Sequence, residues 1–215
     1  MAVADYTRVE VVVSGADLRL SGLTIAHLSD LHLRGLRARE EAVVRAVNKA
    51  GADLVVVTGD LIDEGECASL AVELVRRLRG RLGVYVVFGN WDHWSGVDLE
   101  RFKRELEEAG ARVLVNEYVV LEYNGTDFVL AGVDDPHTVR DDVDRAVSRG
   151  ASGLVVLLAR SPEVVDRAVE AGVTLVLCGH THGGQVVLPL IGPLFLPVSA
   201  KCRRYSHGLF RVNGT

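Results

Sequence analysis

Leu175-Val176-Leu177-Cys178-Gly179-His180-Thr181-His182-Gly183-Gly184-Gln185 sets a pattern from which the rest of this chain can be read. The four apolar residues predict a buried strand. Two histidines one residue apart stand at its mouth. On extended backbone, side chains two apart share a side, so His180 and His182 are expected to point the same way. Glycines on either side let the chain turn and leave room for a ligand. The segment can aim two imidazoles at one metal ion or at two adjacent ones.

The same pattern, an apolar run ending in polar donors, recurs upstream. Leu23 to Leu28 ends in Ser29-Asp30-Leu31-His32, Leu54 to Val57 in Thr58-Gly59-Asp60, and Val84 to Phe88 in Gly89-Asn90-Trp91-Asp92-His93. Helices are predicted between them, over about 38–50, 67–78 and 98–109. Strand, loop and helix repeated three times imply parallel strands with right-handed crossovers. The second half is richer in strands: 113–115, 119–122 and 128–131, with Asn124-Gly125 as a hairpin turn, then 154–158. Ser161 caps the next helix, with Pro162 as its first residue and Gly172 as its stop. Residues 8–13 and 18–20 read as two further short strands about Ser14-Gly15. No repeat, low-complexity segment or linker interrupts residues 1–215, and one domain is expected.

Composition narrows the function classes. The chain has 215 residues, enough for a full-size core, and 48% of them are apolar. A net charge of -5 argues against nucleic acid as a partner. Basic residues are nearly all Arg, with only Lys49, Lys103 and Lys201 as exceptions. Cys67, Cys178 and Cys202 lack CxxC spacing, so neither a disulfide framework nor a thiolate metal site is expected. The start lacks the apolar core of a signal peptide, and no apolar run approaches the roughly 20 residues that span a bilayer. The expectation is a cytoplasmic protein.

Asp30, His32, Asp60, Asn90, His180 and His182 thus all fall at C-terminal strand ends, the edge where α/β sheets bind ligands. Taken singly, each Asp reads as a helix cap or turn residue. As a set they read as a metal centre, and carboxylate with imidazole suits Mn, Fe, Zn or Co.

Asp30-x-His32, Gly59-Asp60, Gly89-Asn90 and Gly179-His180-x-His182, in that order over about residues 23 to 185, resemble the motifs of the calcineurin-like metallophosphoesterases. Their flanks look most like the subgroup that includes UDP-diacylglucosamine hydrolases. The resemblance implies an α/β fold, a four-layer α/β/β/α sandwich of two mixed sheets. It also implies phosphoester hydrolysis by two metal ions that clamp a phosphate for in-line attack. Asp30, His32 and His182 would hold the first ion, Asp60 would bridge both, and Asn90 and His180 would serve the second. Asp63 reads as a cap or turn residue.

Three features depart from that pattern. Trp91 stands where the family has a histidine that protonates the leaving group, and indole is no acid at neutral pH; His93 is the candidate substitute. Arg160 stands where the family has a ligating histidine, and a guanidinium has no lone pair to give. It would replace part of the second metal and grip phosphate, or else swing to solvent or pair with an acidic neighbour. The subgroup also continues past Gly208-Leu209-Phe210-Arg211 with further strands, so an edge strand is missing here or comes from a second copy. One strong and one weak or absent metal site is expected. Residues 186–198 are almost wholly apolar, with Pro189, Pro193 and Pro197, and predict a loop. That loop would meet a lipid, a membrane surface or a second copy in a homodimer, or fold back as core. Asp134-Asp135-Pro136-His137 reads as a plain turn. Two functions compete: a metal-dependent phosphoesterase acting on a lipid-like or nucleotide-sugar ester, and a non-catalytic metal- or phosphate-binding module.

Overall fold

The structure, a computed structural model, describes residues 7–13, 15–147, 153–182, 187–188, 192–193 and 197–213. Its first sheet holds β1 (Ile25–Leu28), β2 (Leu54–Thr58), β3 (Gly83–Val87) and β4 (Ala111–Val113), side by side in that order and all parallel. The second holds β5 (Glu117–Tyr123), β6 (Thr126–Gly132), β7 (Val155–Ala159) and β8 (Leu175–Cys178). Here β5 pairs antiparallel with β6, and the other pairs are parallel. Asn124 and Gly125 turn the hairpin with φ of 51° and 72°, the double positive pair that matches strand twist. The helices are α1 (Ala38–Ala50), α2 (Ala68–Arg77), α3 (Asn90–Trp94), α4 (Leu99–Glu108), α5 (Val143–Ala146) and α6 (Val165–Glu170).

Period-two alternation sorts each central strand into two cores. Leu54 and Val56 of β2 and Tyr85 and Val87 of β3 pack with Phe128 and Leu130 of β6 and Val156 and Leu158 of β7. That is the layer between the sheets. Val55 and Val57 face the other way, onto α1, α2 and α4 through Val47, Leu74 and Phe102. Val155 and Leu157 likewise meet Val143 and Ala168 of α5 and α6. Each full burial of a Val or Leu contributes roughly 1.5–3 kcal/mol, and together these three cores build the four α/β/β/α layers.

Two sequence readings change. Residues 8–13 form no strand, and Leu18–Leu20 is a 3-10 turn because the Asp17 side chain caps it, accepting from Arg19 N at 2.9 Å. Within the stretch read as a loop, Val187–Leu188 (β9) pairs antiparallel with Gly192–Pro193 (β10); a two-stranded ribbon tolerates proline because both strands are edges. Leu190, Leu194, Phe195 and Leu196, on which the surface-contact expectation rested, lie outside the described residues. Among the described residues no helix is long and apolar enough to cross a membrane.

Candidate metal centre

The C-terminal ends of β1, β2, β3, β7 and β8 meet at one edge, and their backbone there is unusual. Asp30, His32, Asp60, His180 and His182 all adopt positive φ, between 44° and 76°. Left-handed backbone costs a non-glycine residue about 1–3 kcal/mol, and such strain gathers at functional sites. It also corrects the reading of the two histidines. β8 ends at Cys178, and His180 and His182 are placed by left-handed turns rather than by an extended strand.

Asp30, His32 and His182 each present a ligand atom, and these atoms lie within 4.8 Å of one another. His182 Nε2 stands 3.1 Å from Asp30 Oδ1, and His32 Nε2 is 3.7 Å from Asp60 Oδ2. The His32 and His182 rings stack with centroids 5.4 Å apart. Asp30 Oδ1 is buried without a well-aligned hydrogen bond, although the Arg160 guanidinium and the His182 ring approach it. A carboxylate oxygen beside two imidazoles is a donor set that a divalent cation satisfies. The residues present therefore fit one ion.

Asp63, read as a cap or turn residue, has another place. His32 Nδ1 hydrogen-bonds Asp63 Oδ1, while Arg34 Nη2 reaches Asp63 Oδ2 at 3.1 Å. A proton held on Nδ1 leaves the lone pair of His32 on Nε2, which faces the cluster. Burial works against charge on Asp63, but His32 and Arg34 outweigh it and hold the carboxyl below its usual range.

Asp60 and Asn90 are fully or almost fully buried. Trp91 N donates to Asp60 Oδ1 at 3.0 Å. Burial pushes the Asp60 carboxyl up to about 7, with Arg160 pulling against it and Asp92 adding to the push. Asp92 is a second residue that the sequence did not single out. Its carboxylate accepts from Leu61 N at 2.9 Å, Ile62 N at 3.1 Å and Gly89 N at 2.9 Å. It ties the loops after β2 and β3 together. The signal was its position as the third residue of a short helix, where an acid reaches back to the capping N–H.

Arg160 is 1% exposed. Its Nη1 lies 2.7 Å from Asp30 Oδ1, Nη2 pairs with Asp60 Oδ2, and Nε donates to Asn90 Oδ1 at 3.3 Å. Arg160 does not swing to solvent; it pairs with acidic neighbours inside the site.

The structure does not bring His180 and His93 to the Asp30–His32–His182 cluster. His180 Nε2 hydrogen-bonds Pro197 O at 2.8 Å, its ring stacks on His137 at 4.0 Å, and its Nδ1 is buried without a partner. Burial, Arg160 and His137 together lower its pKa to about 4, so it is a neutral imidazole. His93 is buried against Phe88 and pairs through Nε2 with Asp134 Oδ1 at 2.6 Å. The Asp134–His137 turn after β6 therefore joins the site edge from the second sheet. His137 Nε2 meets Ser161 Oγ at 3.1 Å. Trp91 is 43% exposed, edge-on to His32 and Trp94.

Two parallel-rich sheets with this carboxylate and imidazole edge define a metallophosphoesterase-type centre. The calcineurin-like phosphoesterase family matches residues 23–184, and the chain belongs to that family. It is 31% identical over 90% of its length to the uncharacterized metallophosphoesterase YkuE of Bacillus subtilis (strain 168), of which it spans 69%. It is 32% identical over 78% of its length to YkoQ of the same organism, spanning 63% of that protein. A Danio rerio transmembrane protein with metallophosphoesterase domain is 33% identical over 95% of the chain. The chain spans about half, 49%, of that relative.

Proposed function

We propose that the chain hydrolyses phosphoesters with one divalent ion, Mn, Fe, Zn or Co, held by Asp30, His32 and His182 with Asp60 beside them. The observation that carries this is the set of ligand atoms of Asp30, His32 and His182 within 4.8 Å of one another. A cation there would supply Lewis-acid stabilisation of phosphoryl charge and acidify a water. The other roles fall to the chain's own residues. Asp63 holds the His32 tautomer. Asn90 places its side-chain oxygen on Arg160, which leaves its NH2 group as a donor for a phosphoryl oxygen. His180, with its proton engaged at Nε2, offers Nδ1 as a buried acceptor for a hydroxyl or water. No acid stands at position 91, because Trp91 cannot give a proton. Esters whose leaving groups need little protonation are therefore the better substrates.

A cavity of about 760 Å³ is lined by Asp30 and His182 and by Val12, Val165, Leu175 and Phe210 among others. It supports an ester with an apolar portion, such as a lipid-like or nucleotide-sugar substrate. The same reading takes residues 1–215 as one phosphoesterase unit. The test is hydrolysis of bis(p-nitrophenyl) phosphate with Mn in excess, beside an Asp30→Ala control. Ion-dependent turnover absent from the control is expected. Equal rates in both would favour the second reading, a binding module without catalysis, which the indole at position 91 and the buried guanidinium support.

A further inference from the structure

Arg160 is a long, charged side chain with almost no exposure, in a site that the sequence otherwise fills with metal-ligand types. Its whole length is fitted to that place. A Cβ on Gly59 would stand 2.7 Å from Arg160 Cδ, and one on Gly89 would stand 2.6 Å from it. Both loops thus lie against the arginine stem, and only glycine leaves it room. Beyond the stem, the donors divide among the three oxygen-bearing residues of the first three motifs. Nη1 faces Asp30, Nη2 faces Asp60 and Nε faces Asn90, with Ser29 Oγ 3.5 Å from Nη1. The main chain of Arg160 is anchored as well, since its carbonyl accepts from Gly179 N at 3.1 Å.

We infer that the Arg160 guanidinium is a resident second cation: it takes the place of a second metal ion among Asp30, Asp60 and Asn90, limits the chain to one bound ion, and holds the carboxylates together. The inference rests on the reading of Asp30, His32 and His182 as the first ion's ligands.

The charges support a count of one. Asp30 and Asp60 face Arg160, the cation between them. A second divalent ion would add two more positive charges beside that buried guanidinium, and charge repulsion rises steeply where water is excluded. The donor chemistry agrees. Asp60 Oδ2 and Asn90 Oδ1, which a second ion would need, face the guanidinium, so a second cation would stand directly against its positive charge. The buried lone pair of His180 Nδ1 remains, and one imidazole alone does not make a metal site.

The closing experiment measures Mn per chain by elemental analysis, together with thermal unfolding in chelator and in excess Mn. It compares the wild type with Arg160→Met, which keeps the stem, and Arg160→His, which supplies a lone pair. The wild type should carry one ion, and each variant two. In chelator, Arg160→Met should melt about 10 °C lower than the wild type, because breaking a buried pair leaves carboxylates uncompensated. Excess Mn should recover most of that loss. Two ions on the wild type, or a single ion on both variants, would overturn the inference. No ion on the wild type with two on Arg160→His would sink the one-ion hydrolase and leave the role of Arg160 standing. If the variants do not fold, the wild-type count alone decides.

Discussion

Removing the carboxylate of Asp63 should weaken ion binding without harming the fold. Asp63 Oδ1 holds His32 Nδ1, and its other oxygen holds Arg34. In Asp63→Ala, the His32 proton can move to Nε2, which removes the lone pair that faces Asp60 and His182. Partners of this kind are worth roughly 10- to 100-fold in metal affinity, or about 1.4–2.7 kcal/mol. The stack of His32 on His182 still restrains the ring, so the loss should fall nearer 10-fold. Asp63→Asn keeps an acceptor for Nδ1 and should lose less. Arg34 is largely exposed, and its replacement by Ala should change affinity by less than about threefold. Calorimetric titration of Mn into the metal-free protein reads all three variants. If Asp63→Ala binds Mn as tightly as the wild type while His32→Ala does not, the tautomer argument is wrong. Asp63 would then merely anchor its loop.

Asp92→Ala should destabilise the protein by roughly 3–6 kcal/mol in urea unfolding, because three buried N–H groups lose their acceptor; a change below 1 kcal/mol would contradict that accounting. Gly179→Ala would set a Cβ 2.6 Å from Asp30 Oδ2 and against Ser29 Oγ. It should lower Mn affinity while leaving far-ultraviolet circular dichroism unchanged, and unchanged affinity would count against it. Asp53 is buried, but Thr24 and Arg81 outweigh burial and hold its carboxyl below its ordinary 3.8. A carboxyl depressed in the folded state stabilises above the unfolded pKa and loses that contribution as pH falls through the folded one. Stability should therefore drop below about pH 3.8, and in Asp53→Asn that part of the acid limb should flatten.

What was legible in the sequence is what local pattern controls. The helix over 38–50 has those bounds in the structure, since its apolar face and Gly51 are local signals. Ser161 and Pro162 start the turn before α6 as read. The strand-end donors were legible because each follows a short Val- and Leu-rich run. Pairings across distant sequence were not. Asp63 finds His32 31 residues away, and His93 finds Asp134 41 residues away, so neither partner has a spacing signature. The Asp134–His137 turn read as a turn and is one, but only the packing of the second sheet beside the first brings it to the site. For Arg160 the sequence could say that it donates and cannot ligate. Its direction depends on space beside Gly59 and Gly89, which only the folded loops reveal.

The left-handed residues and the buried arginine answer one physical requirement, a site shaped before any ion enters. The strained loops hold one another through backbone bonds. Asp30 N donates to Gly59 O at 3.2 Å, His32 N to Asp60 O at 3.0 Å and Leu33 N to Leu61 O at 2.8 Å. Across the sheets, His180 N donates to Asp30 Oδ2 at 3.2 Å. The carboxylates inside this lattice would repel one another, and Arg160 keeps them together. Asp30 then need not release Arg160 to take part in ion binding. A carboxylate oxygen carries two lone pairs, so Oδ1 can face the guanidinium on one side and a cation on the other. Ligation through His182 asks for a bare ring nitrogen, because an imidazole binds a cation with its lone pair. An ion entering this edge would therefore meet loops and an Arg160 pairing that are already in place.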